Sequence, residues 1–134
     1  MEMDRYSRQV LFPPVRESGQ NKISMKHVLI IGAGALGSAL SEMLVRAGIK
    51  ELTIVDRDYV EYSNLQRQQL YTEQDAENRM PKAEAARRRL EMVNSDVQIK
   101  AIVTDATPEV MEPLVINADL ILDATDNFET RMVI

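Results

Sequence analysis

The chain contains no cysteine, no tryptophan and a single histidine. Without cysteine this stretch has no disulfide and no thiolate zinc site. Aromatic residues make up 4% of the composition, which weakens any aromatic-cage or base-stacking role. Positive charge is also short: 16 Lys and Arg stand against 21 Asp and Glu, a net charge of −5. That balance argues against non-specific nucleic-acid binding, which runs on phosphate neutralisation. No apolar run approaches the ~20 residues of a membrane span. The opening Met1-Glu2-Met3-Asp4-Arg5 is charged and leads into no apolar signal segment. These absences predict a cytoplasmic protein with no membrane and no nucleic-acid partner. The 134 residues suit one domain with a real core, and they contain no internal repeat or low-complexity tract.

The most informative stretch is His27-Val28-Leu29-Ile30-Ile31-Gly32-Ala33-Gly34-Ala35-Leu36-Gly37. A β-branched, aliphatic run ends in glycines. Leu36, Leu40, Met43, Leu44 and Ala47 then recur at the spacing of one helix face. Glycines between a buried strand and a helix are the context in which Gly-x-Gly-x-x-Gly signals a nucleotide. Gly32 permits the tight turn, Gly34 lets a phosphate approach the backbone next to Ala35, and Gly37 lets the helix lie close to the strand. The helix N-terminus then offers unpaired N–H groups and partial positive charge to an anion. The competing reading is a turn used only for close packing.

Before this stretch, residues 4–12 read as a short amphipathic helix with Tyr6, Val10 and Leu11 on its apolar side, ended by Pro13-Pro14. Residues 17–25 suit a second short helix. Beyond it, Ala47-Gly48 is a normal helix stop, and Leu52-Thr53-Ile54-Val55 is a second strand ending in Asp56. An acidic residue about twenty positions past the glycines reads ribose hydroxyls, although a strand-end cap is the plainer alternative. Residues 57–80 are polar and poorly periodic, an insertion that suggests a site built above the sheet. Within it Asn64, Arg67 and Gln68 share one face if the segment turns helically. Pro81, at the first position, opens a helix with Ala83, Ala86, Leu90 and Val93 buried. Arg87, Arg88 and Arg89 fall outside, with Glu84 able to pair with Arg88. Lys82 in the first turn opposes the helix dipole, which a nearby phosphate would explain.

Val97–Val103 alternates as a third strand. Thr107-Pro108 starts a helix that Pro113 should kink or shorten. Leu120-Ile121-Leu122 is a fourth strand, running into Asp123-Ala124-Thr125-Asp126-Asn127, with a further helix from Phe128. Strand carboxyl ends carry ligands in open parallel sheets, so Asp126 and Asn127 point to the same site as Gly34 and Asp56, or cap the next helix, or both. The alternation of strands and helices predicts a Rossmann-like α/β domain with a doubly wound, mainly parallel sheet and an N-terminal helical arm.

Arg5-Tyr6-Ser7-Arg8-Gln9, the Gly32–Gly37 turn, Asp56-Arg57-Asp58, Ser63-Asn64-Leu65-Gln66-Arg67-Gln68, Pro81-Lys82-Ala83 and Ala124-Thr125-Asp126-Asn127 occur in the order of the ThiF/MoeB/HesA proteins. The chain resembles this family, the bacterial relatives of ubiquitin-activating enzymes, over nearly its whole length. One departure is Asn78-Arg79-Met80, which stands where a glycine-containing turn is usual before Pro-Lys. The resemblance implies an adenylyltransferase. The C-terminal glycine carboxylate of a ubiquitin-like sulfur-carrier protein, ending in Gly-Gly, attacks the α-phosphorus of ATP and pyrophosphate leaves. The pathway would be molybdopterin or thiamine biosynthesis. Asp56, with Asp58, would hold the ribose. Asn64, Arg67, Gln68 and Lys82 would hold the phosphates, Asp126 would hold Mg²⁺, and Asn127 would lie beside it. Arg8 resembles the arginine that family members insert into the neighbouring subunit's site, which implies a homodimer with residues 1–26 as its arm. The catalytic set would be Arg8, Arg67, Lys82 and Asp126.

The resemblance also implies that residues 1–134 are the N-terminal part of a larger adenylation domain. Its remaining sheet, any zinc cysteines and much of the carrier-docking surface would lie further on, and the fragment alone would be weak or inactive. Two other readings stay open. An NAD(P)-dependent oxidoreductase shares the glycines and Asp56 but leaves Lys82, Arg67 and Asp126 unexplained. A non-catalytic scaffold of the same fold would not need the intact polar set.

Overall fold

The computed structural model describes residues 4–125. Asp126, Asn127 and the helix expected from Phe128 lie outside the described residues. Two short helices, α1 (Ser7–Leu11) and α2 (Arg16–Ile23), precede β1 (His27–Ile31), α3 (Ala35–Ala47) and β2 (Glu51–Val55). A single 3₁₀ turn (Tyr62–Asn64) and α4 (Glu73–Glu77) form the insertion. Then come α5 (Lys82–Val93), β3 (Gln98–Ile102), α6 (Pro108–Ile116) and β4 (Leu120–Asp123).

The four strands lie in the order β3-β2-β1-β4, and every pairing is parallel. The chain moves outward from β1 to β3, then returns across the sheet to β4. Right-handed crossovers therefore put α3 and α5 on one face and α6 on the other. Side-chain alternation follows. Val28, Ile30, Leu52 and Ile54 join the core under α3 and α5, while Leu29, Ile31 and Val55 pack with Met111 of α6. Each such burial stabilises the fold by about 1.5–3 kcal/mol before chain entropy is counted. The strand order reverses between β1 and β4, and the glycine turn sits at that switch point, where such sheets open a crevice.

Several local expectations change. The sheet-facing side of α3 is Gly37, Ser38, Ser41 and Val45, whereas Leu36 and Met43 are exposed. Close approach selects small residues there, because a Cβ on Gly37 would lie 2.0 Å from the Gly32 carbonyl oxygen. In α1, Tyr6 is buried as expected but Leu11 is exposed. Phe12, held extended before Pro13, ends that helix. Pro81 is the N-cap of α5 rather than its first helical residue. Pro113 does not cut α6, which continues to Ile116. Glu84 pairs with Arg87 as well as Arg88.

The insertion holds a helix that periodicity did not reveal. Thr72 caps α4, its hydroxyl accepting from Asp75 N–H at 3.2 Å. At the other end Arg79 adopts φ 49°. Met80 N–H reaches Asp75 O at 3.0 Å and Arg79 N–H reaches Ala76 O at 3.2 Å, the paired bonds of a Schellman stop. Arg79 thus occupies the left-handed position that a glycine would fill without strain.

The N-terminal arm is bound to its own chain through buried amides. Gln9 and Gln20 both donate to Ala47 O, at 3.1 and 3.0 Å. Asn94 donates to Val45 O at 2.9 Å and to the Tyr6 hydroxyl at 2.8 Å. The bonds to Ala47 O satisfy a carbonyl that the end of α3 leaves open, while Val45 O accepts Gly48 N–H as well as Asn94.

Candidate functional site

A cavity of about 600 Å³ opens above the carboxyl ends of the strands. Its floor is the glycine turn. Gly32 adopts φ +103°, and a Cβ there would sit 2.8 Å from Ala124 O. Gly34 differs: the nearest atom to a Cβ would be Gln68 Nε2 at 3.6 Å, an ordinary contact. The fold therefore requires Gly32 and Gly37, while the bare backbone at Gly34 faces the cavity. The first helical bond of α3 is Ser38 N–H to Gly34 O at 2.9 Å. The N–H groups of Ala35, Leu36 and Gly37 precede it and have no intrahelical acceptor.

Asp56, at the end of β2, faces the turn. Its Oδ2 accepts Ala33 N–H at 2.7 Å and its Oδ1 accepts Asp58 N–H at 2.6 Å. Burial pushes the Asp56 carboxyl above its ordinary value, against the pull of those two N–H donors and of the Lys82 charge. A carboxylate oxygen accepts more than one hydrogen bond, so both oxygens keep capacity for a diol.

The opposite wall comes from the insertion. Arg67 N–H and Gln68 N–H both bond to Asn64 O, at 3.2 and 2.9 Å. That turn brings Asn64, Arg67 and Gln68 to one wall of the cavity, as their spacing predicts. Asn64 Oδ1 accepts Glu61 N–H at 2.9 Å, which fixes the carboxamide and leaves its N–H groups for another acceptor. Arg67 is anchored on Ser63 O at 3.0 Å and forms no ion pair among the described residues. Lys82 is buried to 7% exposure in the first turn of α5 and likewise lacks an ion pair among the described residues, although its backbone N–H is fixed on Asp58 O at 2.9 Å. Gln68 Oε1 is buried without a partner. An orphaned buried carbonyl costs about 1–3 kcal/mol; the amide nitrogen of the same side chain is the atom that stands beside Gly34.

Of the sequence candidates, the structure brings Gly32, Gly34, Ala35 and Asp56 to the cavity, with Asp58, Asn64, Arg67, Gln68 and Lys82 facing them. Gly37 lies beneath it as a packing residue. Arg8 does not reach it: α1 is tied to Ala47 at the far end of α3, whose 13 residues span about 20 Å. Asp126 and Asn127 lie outside the described residues, but Thr125, just before them, lines the cavity. Sequence reasoning missed Thr104, Asp105 and Ala106, which line it from the end of β3; the rule that ligands gather at strand carboxyl ends could have found them. Arg57 bridges that loop, reaching Asp105 at 3.0 Å and Asp58 at 3.7 Å. Tyr71, whose hydroxyl donates to Ala33 O at 2.5 Å, gave no sequence signal.

Comparison with known proteins agrees with this geometry. The chain is 58% identical over 130 residues to the sulfur carrier protein ThiS adenylyltransferase of Bacillus subtilis, covering 97% of this chain and 39% of that protein. It is 41% identical to the molybdopterin-synthase adenylyltransferase of Haemophilus influenzae, covering 95% of this chain and 51% of that protein. A crystal structure of Escherichia coli MccB with ATP superimposes with a TM-score of 0.80 at 30% identity, over 94% of this chain and 39% of that one. The chain thus spans about half or less of the length of these relatives. The ThiF family model matches residues 6–134, from the arm through the glycine turn, the insertion and β4, and the chain belongs to the ThiF family.

Proposed function

We propose that the cavity binds ATP, and that the protein carrying this chain adenylates the C-terminal glycine carboxylate of a ubiquitin-like sulfur-carrier protein. The observation that carries this reading is the convergence on one cavity of two cations, Arg67 and Lys82, that have no ion pair among the described residues, with the N-terminal N–H groups of α3. Lys82 is buried there, and two cations beside helix N-terminal N–H groups suit a polyphosphate. Relatives named as adenylyltransferases of sulfur carriers support the substrate class, and the MccB complex supports the nucleotide.

The chemistry needs little from the protein beyond charge and alignment. A C-terminal carboxylate has a pKa of about 3.5, so it is ionised at neutral pH and attacks the α-phosphorus without a general base. Its oxygen forms the new P–O bond as the bond to pyrophosphate breaks. Arg67, Lys82 and the Asn64 amide would stabilise the charge that moves onto the leaving group. Asp56 and Asp58 would receive the ribose hydroxyls. Gln68 would donate to a phosphate oxygen beside Gly34.

Among the described residues no group of three or more His, Cys, Asp or Glu could hold a metal. Mg²⁺ needs only one or two carboxylates when phosphates supply the rest. The oxygen-only donors here fit that demand, with Asp126 as the protein ligand; bound Mg²⁺ would neutralise phosphate charge. Arg8, held far from its own cavity, suits a role in a second subunit's site across a two-fold axis.

Titration calorimetry of the protein with ATP–Mg²⁺ and, separately, with NAD tests the reading. Binding of ATP that is weakened by Asp56→Ala is expected. Binding of NAD but not ATP would assign the cavity to a nicotinamide cofactor instead.

A further inference from the structure

Between Gly32 and Gly34 stands Ala33, and both of its backbone polar groups are held by other side chains. Its N–H donates to Asp56 Oδ2 at 2.7 Å. Its carbonyl receives the Tyr71 hydroxyl at 2.5 Å and the Ser38 hydroxyl at 3.3 Å. Gly32 and Gly34 on either side have the widest conformational choice of any residue. Gly32 N–H is fixed on Val55 O at 2.8 Å, and the bonds to Ala33 add a second anchor in the middle of the turn.

Tyr71 reaches Ala33 from the insertion, and it is buried. A buried phenol needs a partner, and burial raises its pKa, so it stays a donor across the physiological range. Its own segment carries the cationic wall. Gln68 N–H bonds to Asn64 O at 2.9 Å and Tyr71 N–H to Gln68 O at 3.3 Å. One hydroxyl therefore fixes the glycine turn and sets its distance from the wall that bears Asn64 and Arg67.

We propose that Tyr71 is a positioning residue for the phosphate half of the site, holding the Ala33 carbonyl so that the turn's free N–H groups and the Arg67 wall face the same anion. This rests on the ATP reading and deepens it. On the ATP reading Asp56 at the end of β2 receives the ribose, so a ligand without phosphates should sense Tyr71 far less than ATP does. Preorganised donors bind an anion without an ordering cost, and a loosened turn must recover it at each binding event.

The test is calorimetric titration of the parent and of Tyr71→Phe with ATP and with adenosine. Loss of one hydrogen bond's net contribution predicts a roughly five- to tenfold weaker Kd for ATP, with adenosine within about twofold of the parent. Ser38→Ala should show the same pattern with a smaller factor, and it carries the test if Tyr71→Phe folds poorly. Unchanged ATP affinity overturns the proposal, and so does an equal loss for ATP and adenosine, which would make the contact merely structural. A parent that binds neither ligand overturns the ATP reading itself, whereas a parent that binds both beside an unchanged variant overturns the Tyr71 inference alone.

Discussion

Alanine at each of the three motif glycines should separate folding from binding. At Gly37 the new methyl would start 2.0 Å from Gly32 O, so α3 must lift from the turn. Overpacking of this kind costs about 1–3 kcal/mol, occasionally more. At Gly32 the methyl would meet Ala124 O at 2.8 Å on a backbone at φ +103°. Left-handed strain alone is about 1–2 kcal/mol there, and the carbonyl clash adds to it. At Gly34 the nearest atom is 3.6 Å away and φ is −83°, so stability should stay within about 1 kcal/mol of the parent. A domain of this size has roughly 5–15 kcal/mol in hand, so urea denaturation resolves these differences. The Gly34 methyl nonetheless fills the gap between the turn and Gln68, where a phosphate must approach. ATP affinity, read by calorimetry on the folded Gly34→Ala protein, should fall at least about tenfold, or 1.4 kcal/mol. Parental ATP affinity in Gly34→Ala would refute the reasoning. So would destabilisation matching that of Gly37→Ala.

Three further outcomes are expected. Arg79→Gly relieves the φ 49° strain and should stabilise the fold by about 1 kcal/mol in urea denaturation; a loss would mean that the arginine has contacts of its own. Asp56 has a folded pKa above its unfolded value of about 3.9, so its contribution is full below that value and is lost as pH rises through the folded value. Asp56→Asn should thus gain on the parent across that window and hold a constant offset above it, read from urea midpoints over a pH series; a gap that shrinks with rising pH contradicts the assignment. Arg8→Ala and Lys82→Ala proteins, each nearly inactive, should recover about a quarter of parental activity when their subunits are mixed at random; no recovery despite proven hybrids would remove Arg8 from the partner's site.

The sheet and the centre of the cavity were legible because local signals carry them. A glycine turn between strand and helix, and Asp56 at the next strand's end, are spacing rules with a physical cause. The face of α3 was legible in part: Leu40 and Leu44 pack on the core as their spacing predicts, but close packing on the Gly32 carbonyl favours Gly37, Ser38 and Ser41 over Leu36 and Met43. Tyr71 and the Gln9–Gln20–Ala47 network were illegible for a different reason. Tyr71 lies 38 residues from Ala33, and the two glutamines lie 38 and 27 residues from Ala47, and nothing local marks a polar group that will be buried. The Thr104–Ala106 wall was legible in principle, since it follows a strand, but no motif drew notice to it.

The most direct test of the central claim is exchange of labelled pyrophosphate into ATP by the complete polypeptide that carries this chain, with and without a purified ubiquitin-like sulfur carrier ending in Gly-Gly. The account predicts carrier-dependent exchange that Lys82→Ala and Arg67→Ala abolish far more than they weaken ATP binding, because those cations act on charge that develops in the transition state. Exchange at the parental rate in both variants would contradict it.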